Sequence, residues 1–271
     1  MRYLKNSILL SASADQPLLR YVLNSGCITH NQLFEFLKLD YCASSRDAFN
    51  NRVLRLVRHG LLSRHRMPLT QHEMIYSVSQ AGALRLVSGG EYCLPRTASG
   101  SCTNRRMPIH HCLDLNEIHL AIKRSGSLVH WMSEPEIRSR ADLGGTGFCK
   151  YYDAIVVVRL GGQDCKFAVE LERTPKAARH YAMIRERIEQ ESAVAHFVYL
   201  APNYDLLSFV ADKLRGCNRA IYFCLLKDFL EHTMMAPVRR SGAHFSVILA
   251  TALSQGKATP KTGTLFVDIA I

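Results

Sequence analysis

The sequence lacks the patterns that mark membrane, secreted and repeat proteins. No apolar run approaches the roughly 20 residues that a membrane-spanning helix needs. The apolar centre of the first segment is only Ile8-Leu9-Leu10, shorter than the run of about 7 to 15 residues in a secretory signal peptide. There is no internal repeat and no low-complexity segment. These absences predict a globular, cytoplasmic protein without membrane contact.

The cysteines lack the spacing of a disulfide framework. All nine are scattered, their number is odd, and none forms a Cys-x-x-Cys pair. Several lie in apolar runs such as "IYFCLL", which is typical of reduced core cysteines in a cytosol. One loose group contains metal-ligating residue types, but its spacing fits no zinc template. That group is Cys93, Cys102, His110, His111 and Cys112.

Acidic residues are the scarcer charge. The 271 residues include 23 Asp and Glu against 34 Lys and Arg, which gives a formal net charge of +11. The hydrophobic content of 48% is that of a globular protein, and the length suits about two domains. The positive excess favours a polyanionic partner, with nucleic acid as the first candidate. The alternative is a basic protein with no such partner.

A stretch rich in Gly, Ser, Pro and Thr divides the chain. This stretch, "SGGEYCLPRTASGSCTNRRMP", has no periodicity and is typical of a linker or a long loop. We therefore expect an α+β protein of two domains, at 1–88 and 109–271, with a linker or long loop at 89–108. A weaker polar stretch near the end precedes a predicted final strand, "TLFVDIAI".

Three helical patterns, two strand patterns and a further helix make up the first domain. The first helix is expected after Asp15 and stops at Gly26. Thr29 and Gln32 have the spacing of a capping box for the second helix, and Ser45 begins the third. The strands "LLSRHRM" and "EMIYSVS" follow. Three helices and a hairpin are the order of a winged helix-turn-helix module.

The third helix carries the residue types of a DNA-recognition helix. Its apolar positions form a stripe at helical spacing, which places polar and basic residues on the opposite face. Arginine contacts phosphates and guanine edges, and asparagine reads adenine. The predicted DNA-binding residues of this helix and the hairpin are Arg46, Asn51, Arg55, Arg58, Arg64 and Arg66. The alternative is a solvated basic face on an ordinary helix bundle.

In the second domain, strand patterns alternate with helical ones. A helix at about 112–125 precedes the strands "LVHWMSEPEIR", "YYDAIVVVRL" and "CKFAVELE". The helix "PKAARHYAMIRERIEQESA", the strand "HFVYLAP", the helix "YDLLSFVADKLRG" and the strand "AIYFCLL" come next. This order predicts an α/β domain with a central mixed sheet that begins as a meander.

Three acidic residues are expected to meet at one end of that sheet. Residues two apart on a strand share a face, so Glu170 and Glu172 point the same way. The Gly-Gly pair at 161–162 allows a hairpin that brings Asp153 opposite Glu170. Three carboxylates would suit Mg²⁺ or Mn²⁺. The alternative is a structural ion-pair network with neighbouring basic residues such as Arg173.

This order of acids and elements resembles the PD-(D/E)xK restriction-endonuclease-like fold. Asp153 matches the first acid of that pattern and Glu170 the second, while Glu172 stands where a lysine is usual. The resemblance implies a metal-dependent DNA nuclease, and the departure at Glu172 puts the activity in question more than the fold.

A narrower resemblance covers most of the chain. A winged helix followed by "HCLDLNEIHLAI", "WMSEPEIR", "YYDAIVVV" and "AVELERTPKAARHY" is similar to the replication-relaxation family, and within it to the restriction-endonuclease-like mobilisation relaxases of plasmids. The resemblance implies that the catalytic and metal-site acids are Asp153, Glu170 and Glu172. Lys176 is predicted as a further catalytic residue, which would neutralise charge on the phosphate in place of the missing lysine. The accessory residues that the resemblance implies are His111, Asn116, Glu117, Glu136, Arg138, Arg173 and Tyr181.

The function that follows is sequence-specific DNA binding with metal-dependent nicking of one strand at a plasmid or mobile-element origin. The cofactor would be Mg²⁺ or Mn²⁺, and the nucleophile either water or one of Tyr151, Tyr152 and Tyr181. The expected partners are double-stranded DNA, relaxosome or replication proteins, and a second copy of the chain. The alternative is a non-catalytic replication or transcription regulator with a degenerate nuclease-like domain.

Overall fold

The structure is a computed structural model that describes residues 8–41, 45–66, 74–90, 109–145, 147–243 and 245–255. Within these residues the chain forms an α+β fold with two sheets. The first part contains α1 (Asp15–Ser25), β1 (Ile28–Thr29), α2 (His30–Leu39), α3 (Arg46–Arg58), β2 (Leu62–Arg66), β3 (Met74–Val78) and α4 (Gln80–Ser88). Its strands pair antiparallel in the order β1-β3-β2.

Local signals in the sequence set the helix ends of this part. The Thr29 hydroxyl accepts from the backbone N–H of Gln32, and the Gln32 side-chain carbonyl accepts from the backbone N–H of Thr29. These two bonds confirm the predicted capping box. The Ser45 hydroxyl caps α3 in the same way by accepting from the Ala48 N–H. Gly26 ends α1 with a φ of 69°, a conformation that favours glycine. The predicted helices and hairpin are confirmed, and β1 is an addition.

The second part is built on a seven-stranded sheet. Its helices are α5 (Ile109–Arg124), α6 (Glu134–Asp142), α7 (Ala178–Gln190), α8 (Tyr204–Lys213), α9 (Leu226–His232) and α10 (Leu249–Ser254). Its strands are β4 (Leu128–Ser133), β5 (Ala154–Leu160), β6 (Gln163–Leu171), β7 (His196–Ala201), β8 (Ala220–Leu225), β9 (Pro237–Arg240) and β10 (Ser246–Ile248).

The sheet is mixed, as the sequence predicts. Its strand order is β10-β9-β8-β7-β6-β5-β4, with parallel pairing for β6-β7 and β7-β8 and antiparallel pairing elsewhere. The antiparallel run β4-β5-β6 is the expected meander. β9, β10, α9 and α10 were not predicted. Helices cover both faces, which explains why the central strands β7 and β8 are almost wholly apolar.

Helix α5 contributes to the cores of both parts. Leu115, Ile118 and Ile122 pack on the seven-stranded sheet together with α9 and α10. Leu120 belongs to the core that α1 to α4 form. The opposite face of the sheet is covered by α6, α7 and α8, where Tyr181 is one of the buried side chains. The first helix after the predicted linker therefore contacts both groups of elements.

One strand prediction is wrong. "LVHWMSEPEIR" was expected to continue as a strand to Arg138, but the strand ends at Ser133 and α6 begins at the next residue. Pro135 lies in the first turn of α6, where its missing N–H costs nothing, and the acids of that turn suit the positive end of the helix dipole. Glu134 also pairs with Arg138 at 2.6 Å, one helical turn away.

Several predictions fall on residues outside the described ranges. They concern most of the linker (91–108), the final strand (264–271), and Cys93 and Cys102 of the loose cysteine-histidine group. In the part of the chain that the structure describes, no helix has both the length and the apolar character to cross a bilayer.

Candidate functional site

The β5-β6 hairpin brings Asp153 to the end of β6. Ala154 pairs with Val169, so Asp153 and Glu170 are the next residues in register. The backbone N–H of Leu171 donates to Asp153 Oδ2 at 2.7 Å. The turn at 161–162 has φ values of 56° and 82°, which only glycine adopts without strain. The predicted hairpin and its register are confirmed.

Glu170 is a buried carboxylate that forms an ion pair with a buried lysine. Its Oε1 accepts from the Lys150 ammonium, and the side chains are 6% and 11% exposed respectively. Burial raises the pKa of Glu170 to about 7; Lys150 opposes that rise and the negative charge of Asp153 adds to it. Asp153 therefore lies close enough to Glu170 to affect its ionisation.

Asp153 is held by a histidine of α5. His111 Nε2 lies 3.1 Å from Asp153 Oδ1. Burial alone would raise the pKa of Asp153, but the hydrogen bond and charge of His111 outweigh it and leave the pKa below its ordinary value. Burial likewise opposes the charged form of His111, yet Asp153 leaves the pKa of His111 above its ordinary value. The pair is stabilised as imidazolium and carboxylate.

Glu172 has separate partners. Its Oε1 accepts from the Lys176 ammonium, and its Oε2 accepts from the Tyr181 hydroxyl at 2.7 Å. Tyr181 also accepts from the Lys176 backbone N–H at 3.2 Å. Both oxygens of this buried carboxylate are thus occupied, one by the segment that leads into α7 and one by the first turn of that helix.

The expected convergence of three carboxylates on one ion is not seen in the described residues. No group of three or more His, Cys, Asp and Glu side chains there is arranged to hold a metal ion. Asp153 and Glu170 remain as a close pair, while Glu172 is engaged by Lys176 and Tyr181. A pair still fits Mg²⁺ or Mn²⁺ chemically, because Mg²⁺ sites often use one or two carboxylates with waters and phosphate oxygens.

Sequence reasoning missed Lys150. This residue lies in the loop before β5, and its ammonium stands 4.9 Å from the centroid of the Tyr152 ring as well as bonding Glu170. No spacing rule points to it, since Lys150 and Glu170 are 20 residues apart. The only signal in the sequence is that Lys150 lies three residues before Asp153, the acid that directly precedes β5.

Only one of the three candidate tyrosines presents its ring to solvent. Tyr152 is 0% exposed and Tyr181 is 1% exposed, whereas Tyr151 is 47% exposed. Burial raises the pKa of both the Tyr152 and the Tyr181 hydroxyl. The Tyr152 hydroxyl donates a hydrogen bond to Glu191 at 3.0 Å, just as the Tyr181 hydroxyl donates one to Glu172.

The segment between Glu172 and α7 is exposed and basic. The solvent-facing basic residues of this segment and of the first turn of α7 are Arg173, Lys176, Arg179 and His180. Arg173 pairs with Asp114 of α5, and Lys176 with Glu172. The buried carboxylates are thus bordered by positive charge at the surface.

The remaining accessory residues do not contact the carboxylate pair. Asn116 Nδ2 donates to the Cys27 carbonyl at 2.9 Å, and Glu117 accepts from Gln32 at 2.8 Å, so both hold α5 against the first part. In α6, Glu136 pairs with Arg140 at 2.7 Å, while Arg138 pairs with Glu134.

Two of the predicted DNA-binding arginines have intramolecular partners. The Arg46 guanidinium stacks 4.5 Å from the centroid of the Phe34 ring. Arg55 bonds the carboxylate of Asp15, which is fully buried and also lies 3.5 Å from Arg52. Arg55 therefore neutralises a buried charge, and its role in the fold is separate from any contact with DNA.

The other four predicted DNA-binding residues are exposed. They are Asn51 and Arg58 on α3 and Arg64 and Arg66 on β2. None of the three arginines forms an ion pair with another described residue.

Comparisons with known proteins assign no family. No family model matches the chain, and no curated protein matches it. A solved structure of the restriction endonuclease FokI bound to DNA aligns with 80% of this chain at 11% identity and a TM-score of 0.24. This chain spans 43% of the FokI chain. A likeness at that TM-score carries no argument. The molecule is defined by its own features, an α+β fold whose mixed sheet ends in an ion-paired carboxylate cluster.

Proposed function

We propose that the chain is a DNA-binding endonuclease that nicks one strand with the help of Mg²⁺ or Mn²⁺. The observation that carries the proposal is the pair formed by Asp153 and the buried Glu170 at the end of the β5-β6 hairpin. Two like charges held together beside an exposed basic segment, in a chain of net charge +11, suit a site for a cation and a phosphate.

The proposed layout has two domains. Residues 1–88 form a winged helix, in which α3 enters the major groove and β2-β3 is the wing. Residues 109–271 form a PD-(D/E)xK nuclease-like domain. Asn51 and Arg58 would contact base edges or phosphates, and Arg64 and Arg66 the phosphates, because these side chains are exposed. Arg46 and Arg55 have smaller roles in DNA contact, since both already hold intramolecular partners.

The chain's own residues would position the scissile phosphate. Asp153 and Glu170 would hold the metal ion, which when bound supplies positive charge at the phosphate and a water of lowered pKa. His111 fixes the orientation of Asp153. Lys150 lies beside Glu170 and places a cation where charge develops on the phosphate oxygens, the role that the sequence assigned to Lys176.

Water is the proposed nucleophile. Tyr152 and Tyr181 are buried and donate their protons to Glu191 and Glu172, so neither reaches a phosphate without local rearrangement. Tyr151 is the tyrosine of the three that a DNA strand could reach.

The proposed setting is a plasmid or mobile-element origin, where the chain would act as a relaxase in mobilisation or replication. The order of sequence patterns that resembles the replication-relaxation family supports this setting. Relaxosome or replication proteins and a second copy of the chain are the partners that it implies.

The second candidate is a non-catalytic replication or transcription regulator. One observation favours it: each of the three acids already has a positively charged or hydrogen-bonding partner, which is how a structural ion-pair network is satisfied. In that case the sheet domain is a scaffold and only the first part acts on DNA.

Nicking of supercoiled plasmid that carries the DNA flanking the gene tests the proposal. With Mg²⁺ or Mn²⁺ present, Asp153→Asn and Glu170→Gln should lower the nicking rate by about 10² or more, because each removes a negative charge that would hold the metal ion. Asp164→Asn is the matched control, since Asp164 is an exposed acid at the far end of the same hairpin.

Two results would count against the endonuclease. Equal nicking by the wild type and both site variants would remove Asp153 and Glu170 from the site. DNA binding without nicking on any flanking DNA, with either metal, would favour the regulator.

A further inference from the structure

Two cysteines meet where the first part of the chain contacts α5. Cys27 lies between α1 and β1 and is half-buried, and Cys112 lies in the first turns of α5 and is 3% exposed. They are 85 positions apart in the sequence. The proposed nuclease chemistry uses neither of them.

Three contacts bring the two backbones together at this point. The Cys27 thiol donates to the Ile109 carbonyl at 3.8 Å, and the Cys27 carbonyl accepts from Asn116 at 2.9 Å. A Cβ placed on Gly26 would lie 3.6 Å from Cys112 Sγ. Cys27 therefore packs directly on the turn of α5 that carries Cys112.

The thiols also interact with each other. A hydrogen bond with Cys112 raises the pKa of the Cys27 thiol, and the same bond lowers the pKa of the Cys112 thiol. The positive charge of His111 lowers the pKa of Cys112 further. Cys112 therefore loses its proton more readily than an isolated thiol would, while Cys27 keeps its own. The thiolate is the form that reacts with oxidants.

We propose that Cys27 and Cys112 form a reversible intramolecular disulfide when the protein meets a peroxide. One sulfur takes an oxygen from the peroxide to become a sulfenic acid, and water leaves. The second sulfur then attacks the first, the S–S bond forms, and a second water leaves. Two thiol hydrogens and two electrons pass to the peroxide, and a dithiol reductant restores both thiols.

The disulfide would join the two groups of elements covalently. Asn116 and Gln32 already hydrogen-bond across this contact, so the cross-link would reinforce an existing arrangement. His111, which orients Asp153, is the residue next to Cys112, so the oxidised cysteine would lie beside the proposed nuclease site.

Mass mapping of the full chain after treatment with hydrogen peroxide tests the inference. When the folded wild type is oxidised and then labelled with iodoacetamide in denaturant, which exposes the buried Cys112, it should lose two labels, one at each cysteine. It should also yield a peptide that links Cys27 to Cys112. Both labels should return after dithiothreitol. Cys27→Ser and Cys112→Ser should each abolish the linked peptide, while Cys217→Ser, which removes another partly exposed thiol, should keep it.

The wild-type mapping decides the matter even if a serine variant folds poorly. Full labelling of both cysteines after peroxide would overturn the inference. So would the oxidation of either one to a sulfinic acid without cross-linking, or its pairing with a different cysteine. Loss of nicking activity is not part of this test, so it stands apart from the endonuclease proposal.

Discussion

Lys150 and Glu170 form an ion pair that water hardly reaches. Such a pair contributes little net stability, because removing both charges from water offsets most of their attraction. A buried pair that adds little stability at the end of a sheet favours the site proposed above. The pKa of Glu170 is raised because burial removes water from its charged form.

The titration of Glu170 gives the folded protein a pH dependence of definite sign. Its pKa of about 7 in the fold lies above the ordinary value of 4.5, so the folded state binds the extra proton between these values. The free energy of unfolding should therefore fall as the pH rises from about 5 to 7.5. His111 acts in the same direction above 6.5, because its pKa is also raised. Glu170→Gln should flatten this decline, by roughly 1 to 3 kcal/mol over the window.

Urea unfolding at pH 5, 6, 7 and 8 measures this decline. Asp164→Asn is the control, because the pKa of the exposed Asp164 is lowered by Arg159 and the group stays charged throughout the window. A Glu170→Gln variant with the wild-type pH profile would contradict the assignment of the decline to Glu170.

The sequence predicts the acids of the site better than their partners. Strand alternation and the Gly-Gly turn are local signals, and they place Asp153 opposite Glu170. His111 and Lys150 come from a helix and a loop that are 42 and 20 residues away from their partners. Such contacts depend on how elements pack, which no periodicity in a single sequence encodes.

Among the elements, α6 shows how a short pattern misleads. "WMSEPEIR" alternates enough to match the period of a strand, but the serine, proline and acids within it are helix-start signals. A proline inside the pattern should have ended the strand there. Helix α3 was predicted because its apolar stripe extends over several turns, and α2 because Thr29 and Gln32 have the spacing of a capping box.

Helix α4 packs so closely on the start of β2 that only glycine fits at position 82. A Cβ there would stand 2.2 Å from the carbonyl oxygen of Leu61, a backbone atom with no room to move. Gly82→Ala normally stabilises a helix by up to about 1 kcal/mol, but here it should destabilise the protein by about 2 kcal/mol or more. Thermal unfolding followed by circular dichroism measures the difference.

The exposed neighbour Ala81 supplies the comparison. Ala81→Gly should cost only the propensity difference of about 1 kcal/mol. If Gly82→Ala were as stable as the wild type, the close approach of α4 to Leu61 would be wrong.

At the scale of the whole molecule, the net positive charge governs DNA binding and helix α5 connects the two parts of the fold. The net charge of +11 acts at long range and should make DNA binding strongly dependent on salt. Helix α5 joins the cores on both sides, and His119 on it stacks against Trp131 of β4 with ring centroids 4.4 Å apart. A displacement of the first part would therefore move a helix that packs on the sheet.

The salt dependence of DNA binding tests which basic residues face the DNA. Arg58→Ala and Arg64→Ala should each weaken binding and lower the slope of log K against log salt by about 1, the loss expected for one phosphate contact. Arg215→Ala, at an exposed ion pair on the other part of the chain, should leave the slope unchanged. Fluorescence anisotropy over a salt series provides the measurement.

Arg55→Ala is a poor probe for this purpose. It removes the closer of the two arginines paired with the buried Asp15 and leaves Arg52 at 3.5 Å, so weaker binding would also result from a damaged fold. Unchanged affinity and slope in both Arg58→Ala and Arg64→Ala would remove α3 and β2 from the interface.

The register shift in β4 has a consequence for self-association. β4 is the last of the described strands on its side of the sheet, and its pairing with β5 slips between Leu128 and His130. The residue in between, Val129, is 45% exposed. A bulge of this kind bends a strand and interrupts its row of outward amides, so a second molecule finds no straight edge to extend. Straightening β4 would make this edge a starting point for fibrous aggregation.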